Sequence, residues 1–284
     1  MEYSNKTKKE NDFSAIRMRE PIKKTPGIYT AKNSSKGSLL PEAKILFGFL
    51  ANEIASLAAA RKEVIKKNIF NKKTFHSKNT CWKVLHARYF SGSPDDVSSH
   101  PLVALFRNSS NSSLLEGALY YHFMKGDRLY NDITVDLLFQ FFRQGKAHLS
   151  ALDIHEFMKA KSADHPEIEK WSPQTRRSLI NHYLSSIKDF GLFEGKYVKK
   201  LKKPFVHEDL FLYIVTLLKD SQHKPSNILK NDDFRLFLLS ETEVASKLYE
   251  ASQKKKIKFY QSGQTVSLQL PWESLDEYIR NIGS

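Results

Sequence analysis

From residue 37 onward the apolar positions of this 284-residue chain recur mostly at helical spacing, with short polar breaks between the runs. Residues 1–36 lack that periodicity and mix Lys, Asn, Ser, Thr and Pro, which predicts a flexible arm. Gly37 to Pro41 marks the entry into structure. Pro41 suits a first helical turn and Glu42 its positive end, so a helix is expected from Pro41 to about Ile54, with Ile45, Leu46, Phe49 and Leu50 inward. Ser56 can cap a second helix ending near Asn68, and Thr74 or Ser77 a third running to about Phe90. In the third, Phe75, Trp82, Leu85 and Tyr89 fall on one apolar stripe, with Lys78 along it, while His76, Asn79, Thr80 and Lys83 fall on the other side. Two short helices before a longer one with a basic outer face is the outline of a helix-turn-helix. It is equally the outline of bundles that bind nothing.

Residues 91–99 and 108–113 read as connections, and helices are expected over Leu114–Met124 and Ile133–Phe142. The second of these is apolar all round, which places it at the centre of the molecule. Ser150 and Asp153 have the spacing of a capping box, opening a helix to about Lys161. Ser172 and Pro173 start another, which ends near Phe190 and is stopped by Gly191. Its buried stripe is Leu179, Ile180, Tyr183, Leu184 and Ile187. Gln174, Arg177, Asn181 and Lys188 lie opposite, and Arg176 borders the stripe. A lysine-rich hairpin over Leu192–Val206 follows, giving the helix, helix, hairpin order of a winged helix. The C-terminal part offers helices at His207–Asp220, Asn231–Leu239 and Glu241–Gln253, a hairpin of Lys256–Gln261 with Thr265–Leu270, and a closing helix over Trp272–Ile282. That hairpin is either a second wing or a device that packs the C-terminus onto the core. The fold class expected is mainly α, a helical bundle with helix-turn-helix and winged-helix elements and one or two short β-hairpins. Its divisions are 1–36, 37–90, 91–148, 149–206 and 207–284.

Charge adds direction to this outline. Residues 1–36 carry nine Lys/Arg against four Asp/Glu, residues 37–60 one against two and residues 61–88 nine against one, so the first 88 residues hold +12 of the net +14. A basic cluster of this kind suits a polyanion, because each phosphate neutralised releases condensed counterions. The plainer alternative is a solvated surface. On the 192–206 hairpin, crowded lysines repel one another and do little for folding. They suit phosphate contact, or else defend an exposed strand edge. The nucleic-acid-binding candidates are therefore Lys72, Lys73, His76, Asn79 and Lys83 on the first basic helix; Gln174, Arg177 and Asn181 on the later one; and Lys196, Lys199, Lys200, Lys202 and Lys203 on the hairpin.

Chemistry is hard to find. The single cysteine, Cys81, allows neither an internal disulfide nor a thiolate zinc site. There is no phosphate-binding glycine loop, no dinucleotide fingerprint and no nucleophile elbow. Asp153, His155 and Glu156 are neighbours without zincin spacing, which predicts capping and surface roles, and the acids after His207 suit a helix start. No catalytic residue, metal or cofactor is expected. The richest apolar run, Ile45–Ala60, is interrupted by Asn52 and Glu53 and is short of the roughly 20 residues of a membrane span. Nor do the opening residues look like a secretory signal, so a cytoplasmic protein is expected.

The order and spacing of several segments resemble the BrxA family of bacteriophage-exclusion (BREX) defence systems. The segments are GSLLPE at 37–42, the basic helix pattern of 68–90, PEIEKWSPQTRRSLINHYLSSIKDFGLFE at 166–194, the lysine-rich stretch after it and the 270–278 end. The resemblance implies an all-helical protein with small winged or helix-turn-helix elements that binds DNA, with RNA as the alternative, and that works beside other BREX components. The expected function is a non-enzymatic DNA-binding accessory protein. The alternative is an adaptor that docks another defence-complex protein through its basic surface.

Overall fold

Side-chain caps set where most helices begin in the computed structural model, which describes residues 27–52, 56–91, 96–195, 200–221, 223–263 and 265–282. Helix α1 (Leu40–Leu50) takes Pro41 into its first turn. Helix α2 (Leu57–Lys67) starts where the Ser56 hydroxyl accepts from the Ala59 amide, and stops at left-handed Asn68. Helix α3 (Phe75–Tyr89) is capped by Thr74 and buries Cys81, Trp82, Leu85, Arg88 and Tyr89. Two expectations need correcting here. Phe75 lies on the right side of α3 but is 65% exposed, because the buried stripe starts only at Cys81. Ile45 is likewise exposed, and α1 turns Leu40, Ala43, Leu46, Phe47 and Leu50 inward instead.

Helices α4 (Pro101–Asn108) and α5 (Ser112–Lys125) are capped by His100 and Asn111. Next, α6 (Arg128–Asp132) passes through a π-helical turn, Ile133–Leu138, into α7 (Phe139–Arg143). Ile133, Val135, Leu137, Leu138 and Phe141 are all buried on this rod, while Phe139 and Phe142, expected inside with them, are half-buried. The Thr134 hydroxyl donates to the Tyr130 carbonyl at 2.8 Å and meets the Tyr183 hydroxyl at 3.0 Å, so a fully buried polar group keeps its partners.

Helix α8 (Ala151–Lys161) opens with the expected Ser150–Asp153 capping box, and α9 (Pro173–Asp189) with Ser172. Gly191 adopts φ +81°, and the chain returns through β1 (Phe193–Glu194) and β2 (Lys200–Leu201). After these come α10 (Glu208–Asp220), α11 (Pro225–Leu229), a 3-10 turn over Asp232–Phe237 and α12 (Glu241–Gln253). The hairpin of β3 (Lys258–Ser262) and β4 (Thr265–Gln269) pairs Phe259 with Leu268, both buried, and α13 (Leu275–Ile282) closes the described chain. Both strand pairs are antiparallel and two-stranded, so the fold is mainly α with two short hairpins. Helix α13 packs on both α10 and α4, and the Trp272 indole donates to Thr216 at 2.9 Å.

The buried apolar residues form one contiguous set from Tyr29 to Ile279. Residues 27–36, assigned by composition to the arm, are built into it. Tyr29 stacks on His165 with ring centres 3.6 Å apart, and its hydroxyl donates to Asp132. Asn33 is buried and donates to Asp127. Polar residues are inside here because distant partners satisfy them, which composition alone does not reveal. Residues 1–26 lie outside the described part.

Candidate nucleic-acid interface

Helix α9 is held at both ends and along its inner face. The Ser172 hydroxyl accepts from the Thr175 amide, the Leu179 carbonyl accepts from the Tyr130 hydroxyl, and Leu179, Ile180, Tyr183 and Ile187 are buried. The opposite face carries Gln174, Arg177 and Asn181 at i, i+3 and i+7. All three are exposed and have no side-chain partner among the described residues. Lys188 lies further along, also exposed. Arg176 is half-buried and donates from Nε to the Trp171 carbonyl at 3.2 Å, so of the two arginines only Arg177 is available to a ligand.

The hairpin beside α9 pairs Phe193 with Leu201 and Glu194 with Lys200. Its second strand is also tied to the segment leading into α8, since the Leu201 amide donates to the Ala147 carbonyl at 2.8 Å. The five hairpin lysines do not act as one patch. Lys196 and Lys199 lie outside the described residues. Lys200 is exposed without a partner among the described residues, and Lys202 is exposed with Glu194 at 3.8 Å. Lys203 turns away, pairs with Glu243 of α12 and lies over the Phe142 ring.

The five candidates on α3 and just before it also separate. Lys72 bonds to Glu42 at 2.7 Å, and that hydrogen bond raises its pKa against the opposing effect of burial. Asn79 accepts from Arg61 Nη2 at 3.1 Å. Lys73, His76 and Lys83 are exposed with no partner among the described residues.

Arg88, counted with the basic surface by charge alone, is buried. Its guanidinium donates to Asn33 Oδ1 and to the Lys36 and Ser38 carbonyls, and stacks over Phe123. Burial lowers its pKa from the ordinary arginine value, with Asp127 among the groups opposing that. The segment it grips also meets α9, through Ser38 with Asp189 at 2.6 Å and the Asn33 carbonyl with His182 at 3.1 Å. Sequence reasoning missed this link between α3 and α9. The available signal was that Arg88 lies three residues after Leu85 and seven after Cys81, on the apolar stripe.

Asp153 accepts at its own cap, as expected, and among the described residues no three His, Cys, Asp or Glu side chains gather as metal ligands would. No helix among them is long and apolar enough to cross a membrane.

The BrxA family model matches residues 27–217, from the segment gripped by Arg88 through α9, the first hairpin and most of α10. The chain belongs to the BrxA family. BrxA membership makes it a BREX-associated defence protein. A crystal structure of an uncharacterized protein from Magnetospirillum magneticum has a similar fold to this BrxA chain. The TM-score is 0.57 at 15% identity, over 75% of this chain and all of that one. No curated protein matches.

Proposed function

We propose that this BrxA protein is a non-enzymatic, cytoplasmic DNA-binding subunit of the defence system, and that it meets the duplex with α9 and the hairpin after it. The observation that carries the reading is the row Gln174, Arg177 and Asn181, exposed and unpartnered on a helix whose other face is locked in the core. Amide and guanidinium groups can read base edges or phosphates, and a rigid helix presents them without a backbone ordering cost, leaving only that of the side chains. The order α8, α9, β1, β2 supports a winged-helix reading, with Lys200 and Lys202 on the wing.

The test is a salt titration of binding to duplex DNA, single-stranded DNA and RNA, with the wild type and with Arg177→Gln/Lys200→Gln/Lys202→Gln. The expected result is duplex affinity that falls steeply with salt, and a slope shallower by about 0.9 for each phosphate contact removed. Unchanged affinity and slope in the triple variant would remove α9 and the hairpin from the interface. Negligible affinity of the wild type for all three nucleic acids, with stable co-purification of a protein partner, would replace the reading by the adaptor one.

A further inference from the structure

A second group of cations gathers where the segment that Arg88 holds meets the start of α3. Lys36, Lys72, His76, Ser77 and Thr80 surround a small open cleft of about 190 Å³ whose apolar floor is Leu39 and Cys81. Each polar lining group can donate a hydrogen bond, and no carboxylate lines the cleft. Glu42 stands behind it, engaged by Lys72 at 2.7 Å. Lys36 and His76 are exposed and unpartnered among the described residues.

The cleft is also firmly built. Arg88, itself buried, holds the Lys36 carbonyl at 2.7 Å and the Ser38 carbonyl at 3.0 Å, which fixes the backbone from which Lys36 projects. On its far side the same backbone touches α9, where a Cβ on Gly37 would lie 3.7 Å from Ser185 Oγ. Ammonium, imidazole and hydroxyl donors over an apolar floor match a tetrahedral oxyanion, with Lys36 and His76 the cations free of a carboxylate and Lys72 shared with Glu42.

We infer that this cleft is a seat for a phosphate group, separate from the α9 face and joined to it by residues 36–38. The phosphate is either one of a nucleic-acid strand running on from α9 or that of a free phosphorylated ligand. Only the first source rests on the DNA-binding reading.

The experiment records amide chemical shifts of the full-length protein during titration with inorganic phosphate, against chloride at equal ionic strength, and measures duplex affinity in parallel. The variants are Lys36→Gln/His76→Gln, with Lys83→Gln as a control on the same helix and Arg177→Gln as a control on α9. Phosphate-specific shifts at His76, Ser77 and Thr80 are expected, lost in the double variant and kept in both controls. If the double variant also lowers the salt slope of duplex binding by about 0.9, the phosphate belongs to the strand. If duplex binding is unchanged while the shifts are lost, it belongs to a free ligand. The seat stands without the DNA reading if phosphate shifts appear and no nucleic acid binds. Absence of phosphate-specific shifts together with unchanged duplex binding in the double variant overturns it.

Discussion

Two stretches of this chain each run from helices into a two-stranded hairpin and differ in what they show to solvent. In the first, α8 and α9 lead into β1 and β2. In the second, α10, α11 and α12 lead into β3 and β4. Helix α9 carries Arg176, Arg177 and Lys188 against Asp189, whereas α12 carries Glu241, Glu243 and Glu250 against Lys247. The lysines differ in the same sense. Lys200 is unpartnered among the described residues, while Lys254 and Lys256 are held by Glu208 at 3.2 and 2.9 Å. Counting basic residues would treat both hairpins alike. What separates them is which charges already have a partner: Glu208 holds two of the lysines leading into the second hairpin, although Lys255 and Lys258 there are exposed without a side-chain partner among the described residues.

The largest effect should come from α9 itself. Gln174→Ala, Arg177→Ala and Asn181→Ala together should weaken duplex binding by roughly 100-fold or more, each good contact being worth about 1–3 kcal/mol. Glu241→Gln with Glu250→Gln on α12 should change it by less than about threefold, since exposed charges beyond a Debye length of roughly 8 Å are screened. Equal losses in the two helices, measured by titration at one salt concentration, would break the comparison.

The second unit should instead matter for stability, through its anchor α10. A Cβ on Gly117 of α5 would lie 2.1 Å from Leu210 Cδ2, and Leu210 is buried with little room to yield. Gly117→Ala should cost about 1–3 kcal/mol by overpacking, read as a lower Tm, with duplex affinity at 25 °C unchanged. A parallel loss of affinity would mean that the two units are energetically one.

The same anchor predicts a pH dependence. His122 of α5 is half-buried against the Tyr213 hydroxyl at 2.8 Å, and burial, with His100 and Lys125 adding to it, pushes its pKa down to about 3. An unfolded histidine titrates near 6.5, so as pH falls the unfolded chain takes the proton first. The contribution is therefore complete above about pH 6.5 and is lost progressively toward pH 3, by at most ~1.4 kcal/mol per pH unit. Urea unfolding at pH 7 and pH 5 should show this loss, and His122→Gln should reduce it. His100, also lowered by burial, leaves a remainder of the same sign. A variant with the full wild-type slope would take His122 out of the account.

The smallest effect concerns the paired lysines. Lys254→Gln with Lys256→Gln should cost no more than about 1 kcal/mol, as expected of partly exposed ion pairs, and leave duplex affinity unchanged. A tenfold loss of affinity would make the second hairpin a wing after all.

What the sequence revealed and what it hid follow from how far apart the interacting groups are. Ser56, Thr74, Ser150 and Ser172 all cap the helices they precede, because a cap involves residues three positions apart. The exposed row on α9 was legible for the same reason, being fixed by the helical repeat. Lys72 and Lys203 were not, since their acids lie 30 and 40 residues away. Phe75 had the right spacing but nothing opposite it in the core, and periodicity cannot report the length of a neighbour. The last predicted strand pair shifted by up to two residues, because Lys254 and Lys256 serve α10 before the ladder starts at Lys258.

Arg88 sets a limit on how the protein can be shortened. A version beginning after Ser38 would keep every helix yet strip the guanidinium of Asn33 Oδ1 and the Lys36 and Ser38 carbonyls. A buried cation left without its partners typically costs about 3–5 kcal/mol. A trimmed chain intended for fusion or crystallisation must therefore keep Tyr29 through Ser38, however loop-like that stretch looks on paper.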